Sequence, residues 1–167
     1  MQAFVKIIDR ISVICGAGAA LAALGLIGVT MFEVISRYVF HAPTVWAFDV
    51  AYMLNGAAFI LACALALKRN QHVAIDILSQ VFSSRLRRMI EVAAFALLLL
   101  PALGFICYSA WAETWKTWVT GEIEQVSPWQ PKIWPFRLVL SIGLTALWLQ
   151  VLGRVLHSAP ATDETSH

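Results

Sequence analysis

The chain has 167 residues, 60% of them hydrophobic and only 13% charged, which is too apolar for a soluble domain that must keep its surface wet. A formal net charge of +2, with the basic residues scattered over several connections, argues against nucleic acid as a partner and leaves charge as a guide to membrane orientation. Cys15, Cys63 and Cys107 are odd in number and each sits inside an apolar run, so neither a disulfide framework nor a metal knuckle is indicated, and no cofactor is implied.

Lys6 and Arg10 precede Ile11–Phe32, 22 residues without a charge, enough to cross a bilayer core of about 30 Å at about 1.5 Å per residue. A cleaved signal peptide is the competing reading of the small residues 17–20, but its apolar core would be only about 7–15 residues long. Gly18, Ala22 and Gly25 share one face and suit close helix approach. Glu33 and Arg37 follow four residues apart and are placed to pair. Pro43 breaks the helix, Thr44 is a possible cap, and Trp46 and Asp49 fall in the first turns of a second helix. An interfacial salt bridge with a tryptophan belt is the simpler reading of this cluster; a docking surface for a partner's helices is the sharper one.

The second span covers 47–67, with 18 uncharged residues from Val50 to Leu67. Asn55 is its polar outlier. With Ala51, Ala58 and Ala62 it describes a small, polar seam suited to interhelical bonding, and a substrate-binding role is the alternative. Lys68, Arg69, His72 and Asp76 open the next connection. Val73, Ile77, Leu78, Val81, Phe82 and Leu86 then recur at helical spacing opposite serines, Gln80 and Arg87, which predicts an amphipathic helix on the membrane surface. His72 and Asp76 are read as a hydrogen-bonded structural pair, because no further histidine or cysteine pair completes a metal site.

A third span is expected over 92–112, with a kink at Pro101 and Gly104. Trp111, Trp115, Trp118, Trp129 and Trp134 crowd the segment that follows, as in an aromatic belt at one interface, with a carbohydrate- or base-stacking platform as the alternative. The fourth span covers 133–153 and carries Ser141, Thr145 and Gln150 as polar points. Residues 158–167 are expected to form a disordered tail behind a single membrane domain, 1–157.

Four spans put both termini on one side. Lys6, Arg10, Lys68, Arg69, Arg85, Arg87, Arg88 and Arg154 make eight basic residues there, against Arg37, Lys116, Lys132 and Arg137, four, opposite. The positive-inside rule therefore places both termini and the amphipathic helix in the cytoplasm and the tryptophan-rich loop outside. The fold class expected is all-α integral membrane: four transmembrane helices plus a cytoplasmic-face amphipathic helix between the second and third.

The order RYVF, Pro43, Trp46-x-x-Asp49, an apolar span, a basic exit and HVAID resembles the DctQ-type small membrane subunit of tripartite ATP-independent periplasmic (TRAP) transporters. The resemblance implies a multi-pass protein of the bacterial inner membrane, surrounded by phospholipid. It also implies two partners: a large multi-span subunit with the elevator domain and sodium sites, and a soluble periplasmic solute-binding protein, commonly for a carboxylate. Arg37, Trp46, Asp49, His72 and Asp76 occupy the pattern's positions; where family members often have a glutamate before the second span, this chain has Asp49, preceded by Phe48 rather than by a second acid. Glu33, Arg37, Trp46, Asp49, Asn55, His72 and Asp76 are thus candidates for the subunit interface, and Trp115, Trp118 and Trp129 for periplasmic docking. The function expected is a non-enzymatic, non-transporting scaffold in sodium-coupled uptake. A small multidrug exporter needs an acid deep in its first helix, which Ile11–Phe32 lacks. A membrane redox enzyme needs paired cysteines or haem-facing histidines. A stand-alone four-helix structural protein stays open.

Overall fold

The computed structural model describes residues 2–68, 93, 95–125 and 127–158. They form four helices, α1 (Gln2–Tyr38), α2 (Ala47–Lys68), α3 (Leu100–Thr120) and α4 (Trp134–Ser158), which supply four stretches long and apolar enough to cross a membrane, Ile7–Tyr38, Ala47–Leu67, Phe95–Thr120 and Trp134–Val155. Among the described residues there is no strand, only an isolated bridge between Ile123 and Lys132. The predicted amphipathic helix, His72, Asp76 and the tail beyond Ser158 lie outside the described residues.

At 37 residues, α1 is about 55 Å long and exceeds the hydrocarbon thickness, so it must tilt or project. Its last turn closes with the Ala42 N–H on the Ser36 carbonyl at 2.9 Å, and His41 turns the chain in a left-handed conformation, φ 53°. The helix of the third span ends later than the expected bound at Ala112. A π-helical turn, Phe95–Leu99, leads into α3 just ahead of Pro101, because proline has no N–H to give the preceding turn and its ring crowds the carbonyl four residues back. At the other end α3 continues well past Ala112 to Thr120, where Gly121 caps it at φ 65°. Trp111, Trp115 and Trp118 are therefore helical, and the loop itself keeps only Trp129.

α2 packs between α1 and α4, α4 touches all three other helices, and α3 is joined mainly to α4. Small residues let the backbones close in. A Cβ at Gly18 or Gly25 would lie 3.4 Å from Leu61 or Leu54 of α2. On the α2–α4 seam, Gly56 lies under the Phe136 ring and Gly143 against Ile60. Cys15, Ala64 and Ala146 form the buried centre with Ile11 and Leu61 against them.

Candidate docking faces and the polar ends of the bundle

The α1–α2 and α3–α4 loops meet at one end of the bundle, where the charged residues gather. Glu33 accepts from Arg37 Nε at 3.0 Å and Nη2 at 2.5 Å, on one carboxylate oxygen. Its other oxygen accepts from the Thr44 N–H at 3.1 Å and from the Thr44 hydroxyl. Glu33 thus ties the end of α1 to the loop before α2, with the pair's guanidinium largely exposed. Trp46 stacks on Phe32, ring centroids 5.7 Å apart, and closes the same corner.

Asp49, in the first turn of α2, is buried and accepts from the Ser127 hydroxyl. The Ser127 oxygen in turn accepts from the Trp129 N–H at 3.2 Å. Asp49 therefore anchors the α3–α4 loop rather than presenting its carboxylate outward, a placement that also suits the positive end of the α2 dipole. The loop is closed by Glu124 N–H to Pro131 O and Ile133 N–H to Glu122 O. Trp118 meets Trp134 edge to face at 4.5 Å yet stays exposed, as do Trp115 and Trp129.

Several contacts between helices join residues that sequence reasoning left unpaired. Arg137 Nη1 donates to Glu113 Oε2 at 2.5 Å across α3 and α4, with Lys116 3.9 Å from the same carboxylate. Deeper on that seam, Thr114 donates to the Ala110 carbonyl and lies 2.8 Å from Ser141 Oγ, which leaves Ser141 as donor between the two hydroxyls. Trp111 Nε1 donates to Thr145 Oγ1 at 3.0 Å, and Thr145 donates to the Ser141 carbonyl at 2.7 Å. At the opposite end of the bundle buried Ser12 donates to Gln150 Oε1 at 2.9 Å, and Gln150 Nε2 reaches Asp9 at 3.4 Å. Ser141, Thr145 and Gln150 stood out as polar points within a span; their partners lie on other helices, and no spacing rule connects them.

Asn55 behaves differently. Its side chain is exposed on α2, and no hydrogen bond joins it to another described residue, so the seam that Gly56, Ile60 and Ala64 make with α4 does not include it.

Chemically this is a bundle whose internal polar groups are spent on one another. No buried side-chain nitrogen or oxygen among the described residues lacks a partner; Asp9, Glu33 and Asp49 lie toward helix ends, and Glu113 lies in the C-terminal half of α3.

Residues 26–161 match the family described as tripartite ATP-independent periplasmic transporters, DctQ component. The chain is 28% identical over 97 residues to the C4-dicarboxylate TRAP transporter small permease protein DctQ of Vibrio cholerae, covering 52% of this chain and 42% of that one. It is also 28% identical over 65 residues to the sialic acid TRAP transporter permease protein SiaT of Haemophilus influenzae, 39% of this chain but only 11% of the relative. The chain thus spans less than half the length of either relative.

Proposed function

Because the chain belongs to the DctQ component family of tripartite ATP-independent periplasmic transporters, we propose that it is the small, non-transporting scaffold subunit of such a carrier. It stands in the bacterial inner membrane with both termini cytoplasmic, beside a large multi-span subunit that moves the solute in sodium symport. A soluble periplasmic protein delivers that solute to the α3–α4 side, where Trp115, Trp118 and Trp129 offer aromatic surface. The solute is a carboxylate; both relatives are named for carboxylate-bearing compounds.

The observation that carries the reading is the absence, among the described residues, of a carboxylate or guanidinium at the middle of any span, combined with the internal pairing of the polar groups that do lie within the bundle. Solute and ion sites in membranes are built from ionisable side chains and broken helices near mid-depth. A bundle without them serves as a rigid support, and its contribution is mechanical rather than catalytic.

The test is co-purification. The affinity-tagged chain, co-expressed with its large subunit in a mild detergent, retains that subunit in equal amount through size exclusion. Recovery of the chain alone at full yield contradicts the proposal. Orientation is read by thiol labelling of intact cells: a cysteine at Gly121 is labelled and one at Ser84 is not, and the reverse pattern inverts the topology.

A further inference from the structure

Only five residues of α2 between Ala47 and Leu67 are exposed: Phe48, Tyr52, Asn55, Phe59 and Ala62. Their spacing is four, three, four, three. That alternation makes a single seam along one side of the helix, the geometry by which one helix packs on another at a shallow angle. Its aromatic members are strongly exposed, Phe48 at 80%, Tyr52 at 64% and Phe59 at 73%, and Asn55 sits between them, within about 4 Å of the middle of α2 at about 1.5 Å per residue.

An amide there is incompatible with a lipid neighbour. Asn55 carries two donors and an acceptor, and burying an amide unbonded in hydrocarbon is costly. Exposed hydroxyls escape this cost by bonding their own helix, as Thr30 does to the Leu26 carbonyl at 2.7 Å; an asparagine amide does not satisfy both its ends that way. Among the described residues the exposed apolar faces of the other spans carry no such amide: α1 presents Leu21, Leu24 and Ile27, the π-helical turn Leu97 and Leu98, and α3 Phe105, all compatible with acyl chains.

Resting on the scaffold reading, we propose that the stripe Phe48–Tyr52–Asn55–Phe59–Ala62 is the seat of a helix of the large membrane subunit, with a polar group of that helix bonded to the Asn55 amide. The comparison with SiaT favours this occupant over a second copy of the chain. There a stretch similar to part of this chain makes up 11% of one much longer permease polypeptide, and is thus covalently joined to further permease chain.

The experiment places a benzophenone amino acid at Phe59, and separately at Leu24 of α1 and Phe105 of α3, in the chain co-expressed with its large subunit. Irradiation is expected to join Phe59 to the large subunit and to leave Leu24 and Phe105 unjoined. A product at Leu24 or Phe105 with Phe59 silent overturns the assignment of this face while leaving the scaffold reading standing. No product at any position contradicts both, and a homodimer at Phe59 identifies a second copy as the occupant and overturns the proposal. In parallel, Asn55→Leu is expected to lower recovery of the large subunit about threefold to tenfold, the range for one interhelical bond, without lowering the melting temperature of the isolated chain. Unchanged recovery, or a destabilised isolated chain, overturns the role given to the amide.

Discussion

Two of the three seams that α4 makes, those with α2 and with α3, are closed by opposite chemistry. Against α2 it offers glycine and alanine: a Cβ at Gly143 would lie 2.9 Å from Ile60 Cγ2 and 3.3 Å from the Ile60 carbonyl carbon, and Ala146 is buried beside Ala64. Against α3 it offers hydrogen bonds: Ser141 to Thr114, Thr145 to Trp111, Arg137 to Glu113, and Trp148 Nε1 to the Leu100 carbonyl at 3.0 Å. In lipid the hydrophobic effect does not drive apolar helices together, so association rests on close van der Waals packing or on polar bonds. This chain assigns one to each side of a single helix. The contrast teaches that α3, held chiefly by polar contacts, is the separable arm, while α1, α2 and α4 form the packed body.

The largest break should come from the packed seam. Gly143→Leu forces side-chain atoms into space held by Ile60 and its backbone, and overpacking of that kind costs about 1–3 kcal/mol; a thermal melt in detergent should show a clear fall. Gly121→Ala places a Cβ at φ 65° at the end of α3 and should cost about 1 kcal/mol, read as local fraying in amide exchange at the C-terminal turn of α3. Thr114→Val removes one interhelical bond of the polar seam and should cost about 0.6 kcal/mol, with a Thr114→Val/Ser141→Ala cycle returning a coupling of that size. Smallest is Glu113→Gln, which unpairs a partly exposed Arg137 and should cost about 0.5 kcal/mol, falling further with salt. If Thr114→Val matched Gly143→Leu in effect, the division between packed body and polar arm would be wrong.

The sequence made the four helices legible because uncharged runs of membrane length, such as Ile11–Phe32 and Val50–Leu67, outlast the shorter apolar core of a signal peptide. The Glu33–Arg37 pair was legible too, since residues four apart on a helix must face each other. The end of α3 was not. Hydropathy falls at Glu113 and Lys116, yet the helix continues because Thr114 and Thr117 are buried along its α4 side and their hydroxyls bond carbonyls one turn back. Asp49 was read from its position as an edge charge, whereas its burial under Ser127 depends on a loop 78 residues away in sequence. Asn55 was recognised as an outlier, but only the structure separates the side of α2 that faces the bundle from the side that does not.

The claim that this chain supports transport without binding solute is tested most directly by uptake into sodium-gradient liposomes. The purified chain alone, supplied with solute and the periplasmic binding protein, should show no sodium-dependent accumulation, and liposomes holding it together with the large subunit should show it. Coupled uptake by the isolated chain would contradict the account.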